Sequence, residues 1–131
     1  MTLMNICFRA DSSTQIGIGH ITRCITLAKK LVKASTNITF YCKNHIGNVN
    51  YLVKKNGFNL IEIPNTNNLF DVNLDNNYSS WLGSSQIEDA EKMIRLMNGL
   101  KVDLLIVDNY SLSLRWEKAL RKVAKNIMVI D

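Results

Sequence analysis

The sequence has few of the features that mark disulfide-rich, membrane-spanning or disordered proteins. Only three of its 131 residues are cysteines, an odd number without close spacing, which argues against a disulfide framework or zinc ribbon. No apolar run approaches a membrane span, and the first residues lack the regions of a signal peptide. Charged residues are 21% and the mean hydropathy is −0.03, which excludes a disordered chain. We therefore expect one cytoplasmic domain with reduced, mostly buried thiols.

The sequence also has no arginine-rich or aromatic-interleaved stretch, although its formal net charge is +5. A basic balance can indicate nucleic-acid binding. The lysines fall mostly at outward positions of predicted helices, which is typical of solvated faces: Lys29, Lys30, Lys33, Lys118 and Lys122. We expect no nucleic-acid partner, and a phosphate-bearing ligand would be compatible with mild positive charge.

Extended and helical patterns alternate along the chain. We predict strands over 4–9, 38–42, 59–63, 103–108 and 127–131, and helices over 20–34, 48–55, 85–98 and 113–125. Residues 64–84 are rich in Asn and Ser and predict a long loop. This order predicts an α/β fold with a Rossmann-like parallel sheet and flanking helices. No helix follows the last strand, so we expect the native protein to continue beyond residue 131.

Two helices have predicted buried faces. The first buries Ile21, Cys24, Ile25, Ala28, Leu31 and Val32, and the third buries Ile87, Ala90, Ile94 and Met97. Ser85 and Glu88 form a predicted capping box, and Gly99 ends the third helix. Ser113 is a possible cap of the last helix, whose predicted inward residues are Leu120, Val123 and Ala124.

Polar residues follow two of the predicted strands. Arg9, Asp11 and Ser12 stand at the end of the first strand, and Asp108 and Tyr110 at the end of the fourth. Ligands of open parallel sheets bind outside the carboxyl ends of the strands. We therefore expect both groups to open onto the same rim.

The segment Gly17-Ile18-Gly19-His20 precedes the first helix. Glycines allow a sharp turn and close approach of a ligand, and a helix N-terminus suits phosphate or a developing oxyanion. The segment is not a dinucleotide fingerprint, because the third glycine is absent. The positive helix end should keep His20 neutral near pH 7, and a neutral imidazole can act as a general base.

Each of these residues also has a plainer interpretation. His20 could hydrogen-bond a loop carbonyl, and Asp11 could be only a turn or cap residue. Asp108 could cap the loop that follows it, and Tyr110 could be a packed surface aromatic.

Three other titratable residues are interpreted as ordinary loop residues. Asp71 and Asp75 lie in the Asn-rich loop without a surrounding ligand cluster, so no metal or cofactor is expected. His45 lies in the segment 43–47 and is interpreted as a loop residue.

The motif residues resemble the start of the UDP-sugar hydrolases of pseudaminic acid biosynthesis, which are related to spore-coat polysaccharide proteins. The first block comprises Phe8, Arg9, Ala10, Asp11, Ser12, Ser13, Ile16, Gly17, Ile18, Gly19, His20, Ile21, Arg23, Cys24, Leu27 and Ala28. The resemblance continues through Trp81-Leu82, Asp89-Ala90, the strand 103–108, Tyr110, Trp116-Glu117, Leu120-Arg121 and 129–131. It therefore spans nearly the whole chain.

The resemblance implies that residues 1–131 are the N-terminal half of a two-domain GT-B fold. It implies metal-independent cleavage of UDP-2,4-diacetamido-2,4,6-trideoxy-β-L-altropyranose by water, with inversion, to UDP and free sugar. His20 would be the base that activates water, and Asp11 would help to position the site. The expected substrate-binding residues are Arg9, Gly17, Gly19, Arg23, Asp108 and Tyr110.

Two departures from the family pattern bear on this expectation. Asn109 stands where the family often has histidine, and the C-terminal nucleotide-binding domain is absent from the 131 residues. We therefore expect the isolated chain to be inactive. Two alternatives stay open: a sugar-transferring GT-B enzyme in which His20 deprotonates an acceptor hydroxyl, and a non-catalytic domain that binds a ligand or partner.

Overall fold

A five-stranded parallel sheet forms the centre of the protein, in a computed structural model that describes residues 3–65 and 82–130. The elements are β1 Met4–Ala10, α1 Gly19–Leu31, β2 Thr36–Lys43, α2 Tyr51–Lys55, β3 Asn59–Ile63, α3 Gln86–Met97, β4 Val102–Asp108, α4 Leu114–Leu120 and β5 Ala124–Val129. The strand order is β3-β2-β1-β4-β5, and every pairing is parallel. The predicted α/β Rossmann-like fold is confirmed.

Helices cover both faces of the sheet, because alternate strand residues point to opposite sides. Phe8 packs with α1 residues on one face, where it stacks on Phe40 with ring centroids 4.5 Å apart. Cys7 and Leu105 pack on the other face with residues of α3 and α4, including the fully buried Trp116. The central strands β1 and β4 are therefore buried on both sides, as the apolar run 103–108 predicted.

The last helix and strand differ from the sequence prediction. The helix predicted over 113–125 ends at Leu120, and β5 begins at Ala124 rather than at residue 127. Ala124 is paired with Val102 in the ladder between β4 and β5. Hydrogen bonds to β4 and burial beside it outweigh the local helical pattern, so Ala124 is buried in a strand and not on a helix.

The buried helix faces differ from prediction at a few positions. Val32 lies beyond the end of α1 and is 54% exposed, and Ile87 is 45% exposed on α3. Asp89 and Met93 are fully buried instead, because the ion pairs of Asp89 turn its side of α3 toward the sheet.

The predicted start and end of α3 are confirmed. The Ser85 side chain accepts a hydrogen bond from the Glu88 backbone N–H at 3.1 Å. Asn98 and Gly99 follow the helix with φ of 51° and 85°, a left-handed conformation that favours glycine. Ser113 precedes α4 but makes no side-chain cap hydrogen bond.

Several other expectations can be compared with the structure. The five lysines expected on solvated faces are exposed, and the helix predicted over 48–55 is confined to 51–55. Most of the predicted loop 64–84, including Asp71 and Asp75, lies outside the described residues. Within the described ranges, no helix has the length and apolar character needed to cross a bilayer.

Candidate functional site

The candidate site lies at the carboxyl edge of the sheet, where β1 and β4 end side by side. Ala10 is paired with Asp108, so Asp11 and Asn109 leave the sheet together. The chain runs from β1 outward to β3 on one side and from β4 to β5 on the other, which makes this edge the switch point of the topology. A shallow depression there, which we call the rim pocket, is lined by Asp11, Ile16, His20, Asp108, Asn109 and Tyr110.

The loop before α1 brings His20 to this pocket. The Ser13 hydroxyl accepts hydrogen bonds from the backbone N–H groups of Gln15 and Ile16, and Gly17 N–H donates to the Ser13 carbonyl at 2.8 Å. Gly17 has φ of 85°, so this tight turn requires a residue that tolerates the left-handed region.

The N-terminus of α1 faces the same edge. Ile18 occupies the cap position without a side-chain cap hydrogen bond, and the first turn has no acidic residue. A Cβ added at Gly19 would meet no heavy atom of the described chain within 4 Å. The helix start therefore has open space beside it, and binding of a ligand by Gly17 and Gly19 stays a prediction.

His20 forms a buried pair with Asp108. Its Nδ1 lies 2.6 Å from Asp108 Oδ1, and the histidine is 9% exposed. The carboxylate holds the ring in the tautomer that carries its proton on Nδ1. That tautomer leaves Nε2 as the nitrogen that can accept a proton, which is the arrangement a general base needs.

Arg23 binds the same carboxylate through two hydrogen bonds. Its Nε donates to Asp108 Oδ2 at 2.7 Å and its Nη2 to Oδ1 at 2.6 Å, while 43% of the side chain is exposed. Burial raises the pKa of Asp108, but the hydrogen bonds from His20 and Arg23 lower it by a larger amount, so the net shift is downward. Asp108 is therefore an anion that orients His20, and Arg23 presents positive charge at the pocket.

Tyr110 closes one side of the rim pocket. Its ring meets the His20 ring edge to face, with centroids 4.7 Å apart and an interplanar angle of 88°. Half of the tyrosine is exposed. A half-exposed aromatic ring beside polar groups can form an apolar wall for a bound ligand.

Asp11 is almost completely buried and accepts four hydrogen bonds. The donors to Oδ1 are Arg9 Nη1 and the Lys43 backbone N–H, and the partners of Oδ2 are Asn109 Nδ2 at 2.9 Å and His45 Nε2 at 3.3 Å. Burial raises the pKa of Asp11, but the Arg9 guanidinium and the hydrogen bonds from His45 and Arg9 lower it well below its usual range. Because its acceptor sites are occupied, Asp11 is suited to holding neighbouring loops in place.

Four of the predicted site residues lie at the rim, whereas a fifth lies in the core. Asp11, His20, Asp108 and Tyr110 line one pocket as expected. Arg9, which was expected to bind substrate, is instead fully buried and contacts Asp11 and Asp89. Its contribution to the site therefore passes through Asp11.

Three buried polar residues near the site were missed. His45 does lie in a loop, but it is 7% exposed and contacts Asp11. Lys43 and Asp89 are fully buried and form an ion pair of 2.8 Å. The sequence placed these two charged residues at a strand end and on a helix face, where such residues are usually solvated. The family resemblance included Asp89 but gave it no role.

Within the described part of the chain, no group of three or more His, Cys, Asp or Glu side chains is arranged to hold a metal ion. The three cysteines are buried and separate thiols. Burial raises the pKa of Cys24 to about 12, so this thiol beside Asp108 is not a nucleophile at neutral pH.

Comparison with known proteins gives the chemical context of this site. No protein-family model matches the chain. An uncharacterized glycosyltransferase of Methanosarcina acetivorans is 31% identical over 100 residues, which are 73% of this chain and 26% of that protein. The UDP-2,4-diacetamido-2,4,6-trideoxy-β-L-altropyranose hydrolase of Campylobacter jejuni is 31% identical over 118 residues, 90% of this chain and 32% of that protein. The chain is similar to glycosyltransferase-like proteins.

The relatives indicate a class of chemistry, but their names differ in the reaction they state. A second uncharacterized glycosyltransferase, from Methanosarcina mazei, is 30% identical over 73% of this chain. The chain spans 26% to 32% of the length of these three curated relatives. Sequence similarity and fold thus agree on an α/β Rossmann-like domain with glycosyltransferase-like, nucleotide-sugar-related chemistry.

Proposed function

We propose that this chain is the base-bearing N-terminal domain of a UDP-sugar hydrolase that acts on UDP-2,4-diacetamido-2,4,6-trideoxy-β-L-altropyranose. The observation that carries the proposal is the pair of His20 Nδ1 and Asp108 Oδ1, 2.6 Å apart at the carboxyl edge of the sheet. The named hydrolase of Campylobacter jejuni supports the substrate, since its similarity covers 90% of the chain.

In the proposed reaction, His20 Nε2 removes a proton from water as the water oxygen attacks the anomeric carbon. The bond between that carbon and the UDP oxygen breaks, and the electron pair leaves with UDP. Direct attack by water inverts the anomeric configuration. The proton taken by His20 gives an imidazolium that the Asp108 carboxylate stabilises, as the acidic partner does in other histidine–aspartate pairs.

Other residues of the rim pocket have supporting roles in this proposal. Arg23 and the N-terminus of α1 place positive charge where a diphosphate or an oxyanion would lie. Tyr110 provides the wall against which the sugar packs. A C-terminal domain, which the native protein is proposed to supply, would hold the nucleotide.

The test is UDP release from this nucleotide-sugar by the protein as its gene encodes it. We expect His20→Asn to lower kcat by about 10²- to 10⁴-fold, because asparagine can still donate an N–H to Asp108 but has no basic nitrogen. Thr26→Ala, on an exposed position of the same helix, is the matched control and should keep wild-type kcat. If the wild-type protein releases no UDP, the hydrolase assignment fails.

A sugar-transferring reaction is the second candidate, because two of the relatives are named as glycosyltransferases. His20 would then take the proton from an acceptor hydroxyl instead of water. The products separate the two reactions: the hydrolase gives free sugar and UDP in equal amounts, whereas a transferase gives a glycosylated acceptor and needs that acceptor for UDP release.

A further inference from the structure

Four charged side chains form a buried cluster that adjoins the rim pocket through Asp11. Arg9, Asp11, Lys43 and Asp89, which we call the charge cluster, are each no more than 1% exposed. They come from β1, the end of β1, β2 and α3. Two cations and two anions sum to zero, so each buried charge has a partner.

Asp89 is the centre of this cluster. Its Oδ1 contacts Arg9 Nη2 at 2.6 Å and Lys43 Nζ at 2.8 Å. Its Oδ2 accepts from Arg9 Nε at 3.0 Å and from Trp116 Nε1 at 2.9 Å. Asp89 therefore binds one edge of the guanidinium, formed by Nε and Nη2, with both carboxylate oxygens, which fixes the position and the rotation of that planar group.

The remaining nitrogen of the same guanidinium, Nη1, points at Asp11. Arg9 Nη1 donates to Asp11 Oδ1, the oxygen that also accepts the Lys43 backbone N–H at 2.7 Å. The other oxygen of Asp11 contacts Asn109, which follows β4, and His45, which follows β2. A chain of contacts thus runs from α3 through Arg9 and Asp11 to two loops of the rim.

We propose that Asp89, together with Lys43, is a positioning residue for the candidate site, which it reaches through Arg9 and Asp11. Asp89 fixes the guanidinium, the guanidinium fixes Asp11, and Asp11 holds the loops after β2 and β4. This inference rests on the proposed function for its activity readout. A buried ion pair seldom stabilises a fold more than apolar residues of the same size would, so the cluster needs a reason beyond stability.

The charge-balanced double variant Asp89→Asn with Lys43→Met separates positioning from simple charge compensation. It removes one anion and one cation, and the remaining Arg9 and Asp11 still neutralise each other. We expect the double variant to fold, to keep KM near the wild-type value and to lose about 10- to 100-fold in kcat, the order of loss when hydrogen-bonded support behind a site is removed.

Asp103→Asn is the matched control, because Asp103 lies near the amino end of β4, away from the site. Its carboxylate accepts a hydrogen bond from Asn5 N–H at 2.8 Å. It makes the same Asp→Asn change as the first substitution of the double variant without touching the charge cluster, and it should leave kcat unchanged. A folded double variant with wild-type kcat, or an equal loss of kcat in Asp103→Asn, would overturn the proposal.

A second readout does not depend on the nucleotide-sugar. The side-chain amide of Asn109 donates to Asp11 and has no recorded contact with Asp89, so its NMR signal reports the position of Asp11. We expect this signal to shift, and its hydrogens to exchange faster, in the double variant but not in Asp103→Asn. An unchanged Asn109 signal in the double variant would contradict the positioning proposal. A shifted signal in a protein that releases no UDP supports it and rejects only the hydrolase assignment.

Discussion

At the level of single residues, Asp108 decides which nitrogen of His20 carries the proton. Asp108→Asn should lower kcat strongly, up to about 10⁴-fold, because an asparagine amide facing Nδ1 favours the wrong tautomer and cannot stabilise imidazolium. Arg23 would also lose its carboxylate partner. The measurement is kcat for UDP release across neutral pH. Asp103→Asn on the same strand is the control, and equal losses in the two variants would contradict an orienting role for Asp108.

Gly47 supports the loop that leads to the site. It has φ of 77°, and an added Cβ would lie 2.0 Å from Thr14 Oγ1 and 2.9 Å from the Thr14 backbone nitrogen. Gly47→Ala should therefore cost more than the roughly 1–2 kcal/mol of left-handed strain alone. The free energy of unfolding in urea measures this cost.

Gly57→Ala is the natural comparison for this substitution. Gly57 has φ of 88°, but an added Cβ there would meet no heavy atom of residues 3–65 and 82–130 within 4 Å. It should show the left-handed strain without the steric clash. If the two variants lose the same stability, then contact with Thr14 is not what makes Gly47 necessary.

Single residues also show where sequence reasoning succeeds and where it stops. His20 could be found because glycines and a helix start mark it locally. Its partnership with Asp108 could not, since 88 positions separate the two residues. Arg9 was assigned to substrate through the family resemblance, whereas its partner Asp89 lies 80 positions away and holds it in the core.

At the level of elements, α3 links the charge cluster to the rest of the fold, and its start is defined by Ser85. Ser85→Ala should lower the free energy of unfolding by about 1 kcal/mol, because the Glu88 N–H loses its acceptor. Ser113→Ala is the comparison before α4, where the serine makes no cap hydrogen bond and its hydroxyl donates instead to Gln86 Oε1 at 3.1 Å in an exposed contact. It should cost less, and a larger loss at Ser113 than at Ser85 would contradict this assignment of caps.

The elements themselves were largely predictable. Apolar runs and turn residues located all five strands, and 59–63 matched β3 residue for residue. The end of α4 was not predictable, because it depends on the pairing of Ala124 with Val102, which lies far away in sequence. Local periodicity does not reveal a strand whose hydrogen bonds come from a segment distant in sequence.

At the level of the whole molecule, three buried aspartates connect stability to pH. The pKa values of Asp11, Asp89 and Asp108 are lowered in the folded protein, for each of them because neighbouring cations and hydrogen bonds outweigh burial. The unfolded chain binds protons more readily, so their stabilisation is complete above the ordinary carboxylate pKa of about 4 and is lost as the pH falls through the lowered values.

We therefore expect the free energy of unfolding to fall steeply below about pH 4, as measured by urea unfolding at a series of pH values. The double variant Asp89→Asn with Lys43→Met has one fewer of these carboxylates and should show a shallower fall. Constant stability of the wild-type protein between about pH 5 and about pH 2 would contradict this account.

The sheet order explains why the site lies where it does. β1 is the middle strand. The chain continues to β2 and β3 on one side of β1 and then to β4 and β5 on the other side. The loops after β1 and β4 diverge at this point and leave the rim pocket between them. The α/β pattern predicted this edge from sequence, but the roles of the side chains within it depended on contacts that only the folded chain makes.

The neutrality of the charge cluster has a consequence for how this protein can change over evolutionary time. A neutral residue at position 89 would leave Lys43 buried beside Arg9 with a single anion for both. A neutral residue at position 43 would leave an unmatched anion in the same place. Positions 43 and 89 are thus expected to covary, with drift at one followed by a compensating exchange at the other.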